Sequence, residues 1–588
     1  MSSNIIALQN KFLGHGETVY DRLSELYERQ GHISDDDISR LAAEHNLPPA
    51  HVRSTAKFYD DLSHDTPARR TVSVCNGEAC HVAGGRDVEA DLAERLGVEP
   101  GATNADGVRF QHVTCVGCCG SGPNGMLDDA PVSLATPDAV DRLMASLVGD
   151  EPTHLAEPKN AVHLPVEGRP RIVLRHFDRD VVAIDAARAA GIYSGLERAV
   201  TSMAPADVIA EVAASGLRGR GGAGFPTGTK LETVATTVPE DGSGRRFVVV
   251  NADEGDAGSY IDKELIERDP HTQIEGALLA AYACGAAEAF FYVRSEYPAA
   301  KTVLERAVTE AREAGIVGGP AFGSEFTCDV RIVQGRGAYI CGEETSLLRS
   351  IEGVPALVSI RPPFPAQKGL WGCPTAVQNV ETVHNLPWIV ANGGEAYDAY
   401  GVDRSRGTKA LTLNTRVARP GLYEVELGAT LREIIFDLAG GMADGEDFKA
   451  VQIGGPLGAI LGADDLDAPF SFEGLSAVGG ILGHGGMVVY SQSDDLAQIA
   501  RGLMRFCAVE SCGRCFPCRI GSVRGTELLD QMLDDGVTDE RLELLTDLCE
   551  TMRYGSLCGL GKMLPDPIES VVERFPEEFG RYRRGTST

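Results

Sequence analysis

Long apolar runs are missing from this chain of 588 residues: none approaches the 18 or more apolar residues that a membrane-spanning helix requires. The start, Met1 to Asn10, lacks a basic region followed by a hydrophobic one, so the chain is expected to stay in the cytoplasm. Basic charge is scarce too, with 54 Lys and Arg against 85 Asp and Glu and a formal charge of −31. Such a surface repels a phosphate backbone, which argues against nucleic acid as a partner. Lysine is scarcest, at 10 of the 54 basic residues. Genome composition or a salty habitat would produce that bias as readily as function, so it carries no weight. What remains is ordinary for folded proteins: 43% hydrophobic and 24% charged residues. The length suits roughly three to four domains of about 100–200 residues.

Fifteen cysteines in a reducing compartment point to metal-binding thiolates rather than disulfides, and their spacing decides which metal. Near the C-terminus Cys512, Cys515 and Cys518 form C-x2-C-x2-C, and Cys558 follows 40 positions after the third. Three close thiolates and a remote fourth suit the corners of a 4Fe-4S cubane. Zinc is the alternative, although four-cysteine zinc sites usually come as two separated C-x2-C pairs. Arg514 and Arg519 can offset part of the cluster's charge, while Cys507 and Cys549 lack ligand spacing and read as core residues. In the N-terminal part, Cys75 with Cys80 and Cys115 with Cys119 make two pairs on loops that follow strands. Two pairs suit either a 2Fe-2S cluster or zinc, and Cys118 is a spare.

The fold class read from these patterns is multi-domain α/β. Residues up to 62 show amphipathic helices, with Tyr20, Leu23, Leu26 and Tyr27 on one face, Ser34 and Asp37 as an imperfect capping box, and a helix after Pro48-Pro49. A small α/β unit follows, with strands expected at Thr71 to Val74, Val108 to Val113 and Pro131 to Leu134. Residues 151–185 read as a linker. From 186 to 405 helices alternate with apolar strands such as Phe247 to Val250 and Phe290 to Val293, as in a large α/β domain. Residues 406–490 are strand-rich and glycine-rich, and 491–588 are helical, beginning with the face Leu496, Ile499, Leu503 and Phe506.

Gly219-Arg-Gly-Gly-Ala-Gly224 satisfies G-x-G-x-x-G, but a helix rather than a strand precedes it, so the dinucleotide-binding context is broken. The loop can still cradle a phosphate on its backbone, with Lys230 adding charge. Asn251-Ala-Asp-Glu-Gly255 lies at the end of a buried strand, where α/β domains tend to bind ligands, and Tyr339-Ile-Cys-Gly-Glu-Glu344 follows the strand-like Val330 to Val333.

With Gly219 to Gly228, Asn251 to Gly255, Gly337 to Glu344, Pro362-Pro-Phe-Pro365, Asn379-Val-Glu-Thr382 and Glu510-Ser-Cys-Gly513, residues 186–575 resemble the FMN-containing, NADH-oxidising flavoprotein subunit of respiratory complex I and its soluble relatives. Residues 12–145, through Ala56-Lys-Phe-Tyr59 and the cysteine pairs, resemble the family's thioredoxin-like 2Fe-2S partner, fused here to the flavoprotein. The resemblance implies a helical plus thioredoxin-like 2Fe-2S domain over 1–150, an FMN- and NAD(H)-binding domain over 186–405, a β-grasp-like domain over 406–490 and a helical 4Fe-4S domain over 491–588. It places Gly219, Arg220, Gly221, Gly222, Lys230, Asn251, Asp253, Glu254, Tyr339, Gly342, Glu343, Val377, Asn379 and Thr382 at FMN. It places Phe225, Asp256, Glu344, Arg361 and Phe364 at NAD(H). Asp256 stands where the family has Glu, Arg361 where it has Lys, Gln378 where it has Asn, and Thr233 where it has an aromatic.

The implied chemistry is hydride exchange between NAD(H) and FMN and single-electron exchange between FMN and the clusters, with no side chain needed as proton donor. Residues Gly255-Asp256 and Glu343 to Leu348, with no further C-terminal ferredoxin segment, read closest to the diaphorase subunit of a soluble formate dehydrogenase with a molybdopterin partner subunit. The alternatives are the NADH-input module of a quinone reductase, an NAD-reducing hydrogenase subunit, and a non-catalytic zinc scaffold.

Overall fold

The computed structural model describes residues 17–64, 66–148, 155–240 and 242–583. The first 16 residues of the expected N-terminal domain therefore lie outside the described residues.

Helices Val19–Gln30 and Asp35–Glu44 start on capping boxes, Thr18 with Asp21 and Ser34 with Asp37, and Pro49–Ala56 starts on the proline pair. Their apolar face is buried against the central domain, where Tyr20, Leu23 and Tyr59 share a core with Phe247, Phe290 and Leu347. The Tyr20 hydroxyl donates to Gln334 O at 2.6 Å and the Tyr59 hydroxyl to Val354 O at 2.9 Å, so the polar tips of these aromatics are satisfied where their rings are buried.

The next unit is a five-stranded sheet in the order Ala102–Thr103, Val108–Val113, Arg70–Cys75, Asn124–Leu127 and Ala130–Ser133. Strand Arg70–Cys75 runs parallel to Val108–Val113, so both end at the same edge and deliver Cys75 and the Cys115 loop side by side.

The central sheet has four parallel strands in the order Thr375–Asn379, Phe247–Ala252, Glu288–Val293 and Asp329–Gln334. Its first three strands in sequence step outward, and the fourth returns to pair with the first. The order of strand addition therefore reverses between Phe247–Ala252 and Thr375–Asn379, which run parallel with Asn251 in register with Asn379. A ligand crevice belongs beyond the C-terminal ends of such strands.

A third sheet takes the order Ile460–Leu461, Phe448–Ile453, Gly486–Ser491, Thr408–Leu413, Gly421–Glu426 and Val162–His163. Its last strand comes from the segment read as a linker. Further along that segment, the amides of Ile172, Val173 and Leu174 donate to the Glu424 carboxylate at 2.7–2.8 Å. The C-terminal part packs helices Leu496–Glu510, Phe516–Asp535, Asp539–Gly555 and Pro565–Arg574. Among the described residues no helix is long and apolar enough to cross a membrane.

Candidate cofactor site

The glycine loop joins helix Pro205–Ala214 to helix Thr227–Thr236, the non-Rossmann setting expected from the sequence. Positive φ occurs at Gly222 (+120°) and Gly224 (+61°), while Gly221 is required for another reason: a Cβ there would lie 2.9 Å from Asn379 Cβ. The loop is fixed at two points. The Arg220 amide donates to Thr382 Oγ1 at 2.8 Å, and Gly222 pairs with Gly483 in an isolated antiparallel bridge.

Several of the expected contact residues are committed to holding the cradle. Asn379 caps helix Val380–Asn392, its Oδ1 accepting from the amides of Glu381 and Thr382, while its Nδ2 donates to Asp262 at 2.8 Å. Glu343 caps helix Glu344–Ile351 through the Thr345 and Ser346 amides. The Arg220 guanidinium is fully buried and reaches Tyr397 at 2.9 Å and Arg406 O at 2.6 Å, leaving its backbone as its part of the loop. Lys230, its charge disfavoured by burial, donates to Val377 O at 2.8 Å. Asn251 donates to Gly342 O at 2.9 Å, tying a strand end to the helical turn Tyr339–Gly342.

Polar atoms without a hydrogen-bond partner remain around these strand ends: Asp253 Oδ2, Glu343 Oε1 and Gln378 Nε2 are all buried. Burial pushes Asp253 up to about 8, so it holds a proton near neutrality. Buried donors and acceptors left open in this way are what the polar edge of a flavin ring satisfies, and Gly342, where a Cβ would meet Asp253 O at 3.4 Å, leaves room for it. The residues present fit FMN.

At the mouth, Phe225 and Phe364 are 50% and 51% exposed, a state in which a stacking ligand would cover them. Arg361 Nη1 binds Glu344 at 2.6 Å, and its guanidinium carbon lies 5.9 Å from the Phe364 ring centroid. Asp256 is not joined to this group; its carboxylate accepts from the Tyr339 hydroxyl at 2.8 Å.

Tyr339 ties the crevice to the C-terminal cysteines. Its amide donates to Glu510 at 3.0 Å, and its ring meets Phe506 edge-on with centroids 4.9 Å apart. Both partners lie on helix Leu496–Glu510, which runs straight into the Cys512 loop. Cys518 Sγ lies 3.3 Å from Ser511 Oγ and interacts with Cys515, while Cys558 is raised to about 12 by burial and by Glu343, Cys518 and Cys512. The four expected thiolates therefore converge. Cys507 also reaches Cys518, whereas Cys549 lies among Arg553, Asp566 and Glu569.

In the N-terminal unit Cys115 and Cys119 sulfurs are 3.3 Å apart, and Cys75 interacts with Cys80 and with the amides of Gly77, Cys115 and Val116. Four buried sulfurs with converging amides suit an iron–sulfur cluster. Cys118 turns away, its sulfur 3.9 Å from Pro158 O and packed with Val116 and Met126. A cleft of about 1490 Å³, lined by Asn76, Arg86, Glu296, Tyr339 and Arg501, opens between the two cysteine-bearing units and is separate from the glycine loop.

The contributions that sequence reasoning missed are Asp262, Gly483 and His484. His484 Nε2 lies 3.0 Å from Asp262, and its Nδ1 is 2.8 Å from Ser259 Oγ and 3.3 Å from Glu254. The available signal was a histidine inside the glycine-flanked stretch Gly479 to Gly486.

Residues 212–388 match the family described as the Nuo51 FMN-binding domain, 498–582 the NADH-ubiquinone oxidoreductase-F iron-sulfur binding region, and 6–148 the thioredoxin-like [2Fe-2S] ferredoxin. The chain is 39% identical to a NADH-quinone oxidoreductase subunit of Aquifex aeolicus over 68% of its own length and 91% of that protein. It is 32% identical to the NAD-reducing hydrogenase HoxS subunit alpha of Cupriavidus necator, covering 98% of this chain and 94% of that one. A crystal structure of NAD+-reducing [NiFe]-hydrogenase in the H2-reduced state contains a chain that superposes with a TM-score of 0.82 at 28% identity, covering 97% and 95% of the two chains. The chain belongs to the family of FMN-binding flavoprotein subunits of complex I and of NAD-reducing hydrogenases, fused to the thioredoxin-like 2Fe-2S domain. It is an NAD(H)-dependent oxidoreductase with FMN, a 4Fe-4S cluster and a 2Fe-2S cluster, which sets aside the zinc alternatives.

Proposed function

We propose that this chain is the cytoplasmic, NAD(H)-exchanging subunit of a multi-subunit complex, with a division of labour that follows the domains 1–150, 186–405, 406–490 and 491–588. The observation that carries the reading is Tyr339, which joins the strand ends at the crevice to the helix that leads into Cys512. FMN, when bound, exchanges hydride with NAD(H) on one side and single electrons with clusters on the other. On this reading the glycine loop with Lys230, Thr382, Gly342 and the strand and strand-end residues Asn251, Asp253, Val377 and Asn379 hold FMN. Phe225, Phe364, Glu344 and Arg361 orient the nucleotide, Cys75, Cys80, Cys115 and Cys119 hold the 2Fe-2S cluster, and Cys512, Cys515, Cys518 and Cys558 the 4Fe-4S cluster.

Nucleotide choice falls to Glu344. Its carboxylate accepts hydrogen bonds from ribose hydroxyls, repels a 2′-phosphate, and keeps the Arg361 fork engaged at 2.6 Å. Glu344→Ala removes the repulsion and frees Arg361, so the ratio of kcat/KM for NADH over NADPH falls by about 5–150-fold, or about 1–3 kcal/mol, in a dye-reduction assay. An unchanged ratio removes Glu344 from this role. The point matters because one relative, 44% identical over 78% of its length, is the NADP-reducing hydrogenase subunit HndC of Solidesulfovibrio fructosivorans.

A docking face for the partner subunit lies beside the C-terminal cysteines. Phe516 and Ile520, one helical turn apart, are 75% and 50% exposed, and Val523 and Tyr554 are exposed as well. Isolated apolar side chains on a surface need no explanation, but a cluster next to an electron exit does. Phe516→Asp combined with Ile520→Asp weakens co-purification of the partner by about tenfold or more while NADH-dependent dye reduction persists. Retained assembly excludes this face.

The partner we favour is a molybdopterin-type formate dehydrogenase subunit, on the sequence of Gly255-Asp256 and Glu343 to Leu348. A hydrogenase partner is the second reading, favoured by the end-to-end likeness to the HoxS subunit alpha. Purification of the native complex decides: molybdenum with formate-dependent NAD+ reduction supports the first, nickel with hydrogen-dependent reduction the second, and membrane-bound quinone reduction defeats both.

A further inference from the structure

Glu254, Asp262 and His484 form a buried cluster that the chemistry described so far does not use. A cation site is the first reading of one imidazole and two carboxylates, but the geometry argues against it. Glu254 lies 3.3 Å from Nδ1 and Asp262 3.0 Å from Nε2, so each carboxylate already has its own ring nitrogen as partner, whereas an ion would draw both carboxylates to a single deprotonated nitrogen. An imidazolium donating from both nitrogens fits instead.

We propose that His484 is a positioning residue for FMN: it pins Asp262, through Asp262 the Asn379 side chain, and through its neighbour Gly483 the glycine loop. This rests on the reading of that loop and Asn379 as the flavin cradle. Two connections carry it. The Asn379 amide and His484 Nε2 converge on the same Asp262 oxygen at 2.8 and 3.0 Å, and the Gly221 backbone packs directly on Asn379. Independently, Gly483 pairs with Gly222 through the backbone, so the residue next to His484 is itself part of the loop's support. Gly483 has φ of +57°, and a Cβ there would fall 2.2 Å from Gly454 Cα, which leaves that segment little freedom to adjust.

Charge at the site agrees with an imidazolium. Burial alone would push His484 down, but Asp262 and Glu254 more than offset it and the ring rises to about 9. Asp256 also faces the ring, and Lys409, paired with Glu381, opposes its charge. The imidazolium is present below about pH 9 and is lost above it, when two buried carboxylates face each other without their cation.

The test is FMN release from the full chain, read by the fluorescence of free flavin on dilution, with EPR of both clusters as a check on integrity. In His484→Leu the FMN dissociation constant rises by about tenfold or more with both cluster signals kept. In wild type, affinity falls as pH rises from 7 to 10; in His484→Gln, which donates from one position and carries no charge, that dependence flattens. Lys409, which burial pushes down from its usual range, is intact in the Gln variant, so a flat profile assigns the titration to His484. Wild-type affinity in the Leu variant overturns the proposal, and so does an unaltered pH profile in the Gln variant. If the Leu variant does not fold, the Gln profile decides alone. Wild type without FMN would instead defeat the cradle reading.

Discussion

Gly221→Val empties the flavin site while leaving both clusters in place. The expectation rests on steric contact rather than backbone conformation, since Gly221 is not among the positive-φ glycines. A Cβ at this position falls 2.9 Å from Asn379 Cβ and 3.4 Å from its Cγ, closer than side chains tolerate. Asn379 has no freedom to yield: its side chain caps a helix through two amides and donates to Asp262 at 2.8 Å. The loop must move instead, and it is the part of the cradle meant to meet the phosphate. Overpacking of this kind costs about 1–3 kcal/mol, which weakens flavin binding by about 5–150-fold, and the two γ-methyls place valine at the upper end. Flavin released by heat and counted per chain falls from about one to about a tenth or less after gel filtration, while Gly221→Ala falls in between. Stoichiometric FMN in the valine variant would reduce the loop to a turn. The cysteine sites lie on other elements, so their EPR signals serve as internal controls.

The fold was legible where periodicity and punctuation agree. Phe247 to Val250 reads as a buried strand because nothing in it is polar, and the observed strand Phe247–Ala252 extends it by the two residues that begin the site. Ser34 and Asp37 announced a helix start, and the structure has both halves of the box. Cysteine spacing led directly to the residues that converge. Long-range pairing was not legible. Nothing local in Val162-His163 marks it as the edge strand of a sheet whose other members lie more than 240 residues away, because a two-residue strand leaves no period to detect.

The same limit applies to the site. Sequence and resemblance located Asn379, Glu343 and Arg220, but not what their side chains do: Asn379 and Glu343 cap helices and Arg220 anchors the loop from behind. A residue list therefore merges contact with support, and hydrogen-bond partners separate them. His484 was missed because its role depends on Asp262 and Glu254, more than 200 positions away. Single residues in glycine-rich loops acquire meaning from partners that local pattern does not reveal.

The 4Fe-4S signal disappears in Cys515→Ser and persists in Cys507→Ser, and the pair separates ligand from neighbour. Both thiols lie close to Cys518, so proximity alone does not distinguish them. Position does. Cys515 is the N-cap residue of helix Phe516–Asp535, on the loop with Cys512 and one turn before Cys518 in that helix, and it is partly open to solvent, as a ligand at a cluster's outer corner would be. Cys507 lies inside helix Leu496–Glu510, fully buried, with its sulfur 3.8 Å from Leu560 O. Its thiol is pushed up by Cys518 and by burial, the behaviour of a protonated neighbour that donates to a thiolate. A serine hydroxyl at 507 preserves a donor toward Cys518 and leaves four thiolates for the iron. At 515 it removes one of the four, and a cubane with three thiolate corners loses its 4Fe-4S spectrum. Reduced-state EPR on both variants, with flavin content measured in parallel, is the decisive measurement. Loss of the signal in Cys507→Ser, or its survival unchanged in Cys515→Ser, would reassign the ligand set.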